Sequence, residues 1–421
     1  MTAVSGSAAG PGSGPAPAAA PGSTPVSTPA PTPILVSARR RRTRDQVLSA
    51  LTQHDNLSRM DLARITGLSR SAIGACVATL VDEGLATEGP PLPARGAGPG
   101  RPAAVVQLRR REGTVLGIDF GHSHVAVAVA TTAGEVLAEC MTELDVDGRP
   151  RQALDSAADL ARTALAEAGS GIARISGIAA GIPGPLDVRT KVVREPTILA
   201  AWTGLDPAAE LTGRLGKPVA VGNDADMGAR GEHAYGAAQG IDDFLYVKAS
   251  HGIGAGLFIA GRTYRGAIGI AGEIGHTQLP GAISWCRCGN QGCLETVVSI
   301  TAVRRRLAHV LAGEQSEAGA ALPPIERLAA MPATARVIAD AGRTIGRVLA
   351  DLVNCLNPAA IVLGGELGAA GAPLVSGVRE SIDRHASQAN AQAVTVASGR
   401  LGPRAELLGA VVTAIGAVSA L

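Results

Sequence analysis

Residues 271–295 read AGEIGHTQLPGAISWCRCGNQGCLE, and this stretch organises the rest of the chain. Three of the six cysteines fall close together as Cys286-x-Cys288-x4-Cys293, with His276 a short way upstream. Thiolates and an imidazole at this spacing can close around one tetrahedral Zn²⁺, which favours sulfur and nitrogen ligands. Four protein ligands leave no open position, so the ion is expected to be structural rather than catalytic. A disulfide, or three unrelated cysteines in a turn, are the alternatives. Gly289 and Gly292 supply the tight backbone a metal knuckle needs, while Cys76, Cys140 and Cys355 are scattered as in a reducing cytoplasm. The expectation is a zinc site made by His276, Cys286, Cys288 and Cys293.

The same stretch carries two carboxylates, Glu273 just before His276 and Glu295 just after Cys293. A pinned knuckle would turn both into fixed acceptors, suited to the vicinal hydroxyls of a sugar. Glu273-x-Gly275-His276, followed by Cys286-x-Cys288-Gly289-x-x-Gly292-Cys293-Leu294-Glu295, resembles the signature of the ROK family, which joins sugar-responsive repressors and sugar kinases. The resemblance covers residues 43–421 and is strongest over 223–295. It implies an α/β body with the two-lobed actin-like ATPase (ribonuclease H-like) sugar-kinase fold, and a sugar bound between the lobes. By resemblance, Asn223, Asp224, Glu273, His276 and Glu295 are hydroxyl contacts, His276 serving the metal as well. In a kinase Asp224 would be the general base that takes the proton of the attacking hydroxyl. In a pure binder it would accept that hydroxyl's hydrogen bond.

Two glycine-rich turns depart from the kinase pattern. The buried strand Val115–Ile118 runs into Asp119-Phe120-Gly121, but His122 and Ser123 stand where kinase relatives have Gly and Thr. After the strand Phe244–Lys248, Ser250 and His251 replace a second Gly-Thr pair ahead of Gly252-x-Gly254-x-Gly256. Backbone N–H groups cradle phosphate only where the chain can approach closely. Two altered turns therefore argue against productive ATP binding. Thr197 also replaces the Asn of the kinases' Pro-Asn-Leu, and Asp226 a frequent Asn.

Upstream, residues 1–38 are Ala, Pro, Gly, Ser and Thr with few large apolar groups, which reads as a disordered tail. Arg39–Arg42 and Arg44 form a basic cluster suited to phosphates. Residues 39–110 then read as a winged helix-turn-helix. Val47, Leu48 and Leu51 line one helical face; Ser58 caps a second helix with Asp61 at its third position, and Gly67 makes the turn. Ser69 caps a third helix, buried through Ile73, Val77 and Leu80. Its other face offers Ser69, Arg70, Ser71, Ala75, Ala78 and Thr79 to a major groove. Strand-like Leu85–Glu88 and Ala103–Leu108 flank a Pro/Gly-rich loop ending in Gly100-Arg101-Pro102. An extended Arg101 there suits a narrow minor groove. A generic three-helix bundle with a linker turn is the bland alternative.

The remainder, 111–421, is expected to form the ROK body. Lobe one covers about 111–226 plus a closing helix at 405–421, and lobe two about 227–404 with the knuckle at 276–293. Composition is 46% hydrophobic but only 2% aromatic, so cores must be built from aliphatic residues. Net charge is +2, yet the first 110 residues hold twelve arginines against six acids, which fits a nucleic-acid-facing end on a mildly acidic body. Neither a signal peptide nor a membrane span is visible, so the protein is expected to be cytoplasmic. The function expected is a sugar-responsive transcriptional regulator, a repressor, acting as a homodimer or dimer of dimers on operator DNA. Its ligand would be a sugar or sugar derivative that it does not phosphorylate. The alternative is an ATP-dependent hexose kinase carrying a DNA-binding head.

Overall fold

The computed structural model describes residues 43–44, 46–48, 50–51, 54, 57–83, 85–89, 104–108, 113–187, 189–190, 192–193, 199–312 and 322–420. The N-terminal tail, Arg39–Arg42, Arg101 and Thr197 lie outside the described residues. The chain divides into two compact units, residues 1–79 with 90–106 and residues 80–89 with 107–421.

In the N-terminal part, Gln46, Val47 and Leu48 are helical and Val47, Ala50 and Leu51 are buried. A two-residue strand β1 (Leu57–Ser58) leads into helix α1 (Arg59–Thr66). Ser58 and Asp61 form a reciprocal capping box: Asp61 N–H donates to Ser58 Oγ at 3.1 Å, and Ser58 N–H to Asp61 Oδ2 at 3.1 Å. The helix stops at Gly67, whose φ of 68° is the left-handed conformation that glycine adopts without a Cβ clash. Helix α2 (Arg70–Asp82) follows. Then come β2 (Ala86–Gly89) and β3 (Val105–Leu108), which with β1 make a three-stranded sheet in the order β1-β3-β2.

The larger unit contains two five-stranded sheets of the same design. The first uses β4 (Thr114–Phe120), β5 (His124–Thr131), β6 (Val136–Glu143), β7 (Ile175–Ile182) and β8 (Val219–Asn223), ordered β6-β5-β4-β7-β8. The second uses β9 (Phe244–Ala249), β10 (Ile253–Ile259), β11 (Arg262–Tyr264), β12 (Ala360–Gly364) and β13 (Thr395–Ser398), ordered β11-β10-β9-β12-β13. In each, the first three strands form an antiparallel meander and the last two add in parallel. This repeated order is that of the actin-like sugar-kinase fold.

Each sheet hides its central strands under helices. Helix α3 (Pro150–Glu167) lays Ala153, Leu154, Ala157, Ala161 and Leu165 on the first sheet, where Leu116, Ile118 and Val127 meet them. Helix α4 (Asp224–Tyr235) follows β8, and in the second lobe α5 (Pro332–Leu356) and α6 (Ala372–His385) pack over Leu245, Val247 and Ile361. With few aromatics available, aliphatic side chains do most of this burial, each contributing about 1.5–3 kcal/mol.

The closing helix α7 (Ala405–Ala420) returns to the first sheet, where Leu407, Val411 and Ala414 pack on Val115 and Ala128. It also crosses α4 at Gly409, where an added Cβ would lie 1.7 Å from Met227 O. That close approach sets Glu406, one turn earlier, beneath the inner face of β9.

Candidate functional site

Alternation along β9 decides what faces the centre. Leu245, Val247 and Ala249 point into the second lobe's core, and Phe244 and Tyr246 pack toward α4 and α7. Lys248 follows Tyr246 on that second face. Its ammonium Nζ donates to Asp224 Oδ2 at 2.7 Å and stands 3.8 Å from Glu406 Oε1. Tyr246 OH donates to Glu406 Oε1 at 2.9 Å. Asp119, 1% exposed at the end of β4, has Oδ2 3.0 Å from His124 Nε2, while its Oδ1 has no hydrogen-bond partner. Two carboxylates from two helices therefore pair with one lysine, and the charge of Asp119 acts on it through space. Sequence reasoning missed Lys248 and Glu406. The signal was present: Lys248 is one of three lysines in a chain of 38 basic residues, and it sits in an otherwise apolar strand.

Burial alone would lower the Lys248 ammonium, but the charges of Asp224, Glu406 and Asp119 outweigh it and hold it above the ordinary lysine value. Burial pushes the Glu406 carboxyl up to about 7 against the pull of Lys248, with Asp119 and Asp224 adding to the rise. A carboxyl raised from 4.5 to about 7 on folding gives stability that is complete below the unfolded value and lost as pH climbs to about 7. Glu406→Gln should flatten that decline. The two urea-unfolding profiles should diverge across this window by at most on the order of 3 kcal/mol. Parallel profiles would place the charge elsewhere.

Asn223 ends β8 and caps α4: its Oδ1 accepts from Ala225 N at 2.9 Å and Asp226 N at 3.3 Å, and its Nδ2 donates to Gly184 O at 3.1 Å. One amide hydrogen remains for a ligand. Asp224 Oδ1 accepts from Ala225 N at 2.8 Å, so this carboxylate is anchored at both oxygens. Asp226 pairs with Arg265 at 2.8 Å.

Downstream, the knuckle brings its four residues together. Ligand atoms of His276, Cys286, Cys288 and Cys293 all lie within 4.8 Å of one another. Cys288 Sγ is 3.7 Å from Cys293 Sγ, and Cys286 Sγ is 3.6 Å from His276 Nδ1. Tetrahedral bonds of about 2.3 Å to sulfur and about 2.0–2.1 Å to nitrogen would put such pairs about 3.8 and about 3.5–3.6 Å apart, so the donor set fits a tetrahedral metal. The 3.7 Å between Cys288 Sγ and Cys293 Sγ is well beyond a disulfide bond of about 2.05 Å. His276 turns Nδ1 to the sulfurs and Nε2 toward Glu273 Oε2 at 3.8 Å, with Glu295 Oε1 4.0 Å from Nδ1. Glu295 Oε1 also accepts from Cys286 Sγ at 3.0 Å. Glu273, His276 and Glu295 thus form one cluster and Asn223 and Asp224 another. Both rest against β10, where Gly254 faces Ala225 and Ala255 N–H donates to Gly272 O at 2.9 Å.

The altered turns face a cavity of about 380 Å³ lined by Asp119, Gly121–His124, Lys248, Ser250, His251, Arg304, Glu366 and Glu406 among others. None of the five sugar-contact candidates lines it; Lys248 is the link, lining the cavity while bonding Asp224. His122 and His251 approach each other, ring centroids 5.4 Å apart. Asp147 holds His122 Nδ1 at 2.8 Å, and burial, then the His122 ring, keeps His251 below the usual imidazole value. Ser250 Oγ accepts from Glu366 N at 2.9 Å, so this hydroxyl already satisfies a backbone donor at the next turn.

On α2, Ile73, Val77 and Leu80 are buried, whereas Ser69, Arg70, Ser71, Ala75 and Thr79 are exposed together. Ser69 Oγ accepts from Ala72 N at 3.3 Å, and Thr79 Oγ1 turns back to Ala75 O at 3.0 Å. No helix among the described residues is long and apolar enough to cross a membrane.

The IclR helix-turn-helix domain matches residues 46–90. A putative xylose repressor from Caldicellulosiruptor sp. (strain Rt8B.4) is 26% identical over 88% of this chain and 94% of its own length. The crystal structure of a ROK family transcriptional regulator, a homolog of the E. coli MLC protein, superposes with a TM-score of 0.70 at 26% identity, covering 91% of this chain and 97% of that one. A ROK family glucokinase from Streptomyces griseus, in complex with glucose and AMPPNP, gives 0.60 at 28% identity over 72% of this chain and 99% of its own. The ROK family profile itself matches residues 115–416, most of the chain, so the protein belongs to the ROK family.

Proposed function

We propose that this protein is a sugar-responsive DNA-binding transcriptional repressor whose kinase-like body binds a monosaccharide or sugar derivative without phosphorylating it. The observation that carries the reading is the 2.7 Å bond between Lys248 Nζ and Asp224 Oδ2. The carboxylate that a sugar kinase would use as general base is here already the acceptor of a buried ammonium. The pairing of His122 with His251, where kinase relatives have small or hydroxyl residues, works in the same direction by filling phosphate-cradling turns. The extent of likeness agrees. The repressor relative spans 88% of the chain, head included, whereas the glucokinase spans 72%.

In this reading residues 39–110 read DNA and residues 111–421 bind ligand. Ser69, Arg70, Ser71, Ala75 and Thr79 enter a major groove, and Arg101 reaches an adjacent minor groove. Asn223, Asp224, Glu273, His276 and Glu295 hold ligand hydroxyls. Charge-assisted hydrogen bonds of this kind contribute about 1.5–3 kcal/mol each, enough together for micromolar affinity. Structural zinc at His276, Cys286, Cys288 and Cys293 fixes the Glu273 and Glu295 carboxylates. The active species is a cytoplasmic homodimer, or dimer of dimers, whose two heads must match half-site spacing. Ligand binding shifts the lobes and with them that spacing.

The test is sugar-dependent ADP production by the zinc-loaded protein across monosaccharides and amino sugars, run beside thermal shift with the same panel. The expected result is no turnover, with one class of sugar raising the melting temperature and changing operator affinity. Turnover at ordinary kinase rates would make the protein a hexose kinase with a DNA-binding head, the reading that the glucokinase likeness favours.

A further inference from the structure

Lys248 has a second consequence, which rests on reading the cleft as a binder and extends it. Glu406 of α7 and Asp119 of β4 line the cavity beside Lys248, and Asp224 of α4, which does not line it, is bonded to the same lysine. Such a set of hard oxygen donors is what a divalent cation such as Mg²⁺ or Mn²⁺ takes. Asp119 adds an independent sign of an unmet demand: its Oδ1 is buried without a hydrogen-bond partner, its other oxygen being taken by His124. The only lysine or arginine within ion-pair distance of Asp224 and Glu406, among the described residues, is Lys248.

We propose that Lys248 is the resident cation of this cleft, an ammonium tethered where a divalent ion would otherwise bind, and that it closes the carboxylate cluster to metals. An ammonium and a hydrated divalent ion cannot share the space 2.7 Å from Asp224 Oδ2, and their charges repel. Phosphoryl transfer from a nucleotide depends on a metal that bridges the phosphates. One side chain thus occupies the general base and excludes the metal together. Lys248 is a positioning residue, and its role differs from simple charge balance because it predicts a metal affinity that appears when it is removed.

The experiment is a Mn²⁺ titration of the zinc-loaded full chain, followed by the electron paramagnetic resonance of free Mn²⁺, with neither sugar nor nucleotide present. Wild type is expected to take up no Mn²⁺ in the cleft at millimolar concentration. Lys248→Met should bind one added equivalent at least about tenfold more tightly than wild type, and Lys248→Met/Asp224→Asn should lose it. Mg²⁺ should raise the melting temperature of Lys248→Met and leave that of wild type nearly unchanged. If Lys248→Met does not fold, Lys248→Met/Glu406→Gln carries one buried charge fewer and should bind Mn²⁺ with intermediate strength. Equal binding by wild type and the lysine variants, or none by either, overturns the proposal. A wild type that excludes free Mn²⁺ from the cleft yet phosphorylates a sugar when the metal arrives already bound to the nucleotide would sink the repressor reading and leave the exclusion of free metal standing.

Discussion

Cys288→Ser is expected to release the knuckle's metal and abolish the response to sugar while leaving most of the fold in place. Besides the four candidate ligands, the knuckle is held by short-range hydrogen bonds such as Leu279 N–H to Gly292 O and Gly292 N–H to Ser284 O, both 2.8 Å, and by little apolar packing at its tip. Its regular pairing amounts to isolated bridges, Gln278 with Cys293 and Trp285 with Gln291, and Ile283 and Trp285 are 77% and 75% exposed. A segment that buries so little apolar surface is ordered by its cross-link. The turn is tight as well: Gly292 has φ 80°, and a Cβ there would lie 2.6 Å from Ala282 O. Loss of Cys288 removes the partner 3.7 Å from Cys293, and Cys293 directly precedes the short helix that carries Glu295. His276 is freed at the same time, so both candidate carboxylates lose their fixed positions. Outer contacts to a metal centre typically matter by 10–100-fold, and a similar loss of sugar affinity, about tenfold or more, is expected. Metal content by atomic emission should fall from about one equivalent per chain to near zero. Far-UV circular dichroism should hardly change, because both sheets and their helices lie outside the knuckle. Full metal retention in the variant would refute the ligand set; metal loss with an undiminished thermal shift by sugar would detach the knuckle from the ligand site.

How much of this was legible in the sequence depended on the range of the interaction. The capping box of Ser58 and Asp61, the turn at Gly67 and the clustering of His276 with three cysteines are local, and residue type and spacing specify them. The strand Phe244–Lys248 was legible too, with its end one residue further along. Its partners were not. Glu406 reaches Tyr246 across 160 residues, and the register that aims it is set by a helix crossing at Gly409, which no periodicity encodes. Strand β6 was overlooked because it is an edge strand whose exposed alternate residues include Leu137 and Met141. Asn223 shows a different limit. Resemblance made it a hydroxyl contact, while its carbonyl oxygen is occupied as the cap of α4 and only its amide retains a hydrogen to offer.

The same cluster predicts an asymmetry in stability. Lys248→Met should cost about 3–5 kcal/mol at pH 8, the range for removing one partner of a buried ion pair. Asp224→Asn should cost far less, about 1 kcal/mol. The difference follows from the charge count: one ammonium serves Asp224, Glu406 and Asp119. Removing a carboxylate leaves the lysine two counter-charges, whereas removing the lysine leaves three buried carboxylates repelling one another. It also removes the group that pulls Glu406 down, so that carboxyl, already raised to about 7, moves higher still. A carboxyl raised in the folded state stabilises below its unfolded value and loses that stabilisation as pH rises through its folded one. The deficit of Lys248→Met should therefore shrink when urea unfolding is repeated at pH 5.5, while that of Asp224→Asn should move little. Equal costs for the two variants at pH 8 would mean that the 2.7 Å pair acts alone and that Glu406 and Asp119 are bystanders. The ordering also bears on function, since a cleft carrying excess negative charge around a single lysine suits neutral polyols better than polyanionic nucleotides.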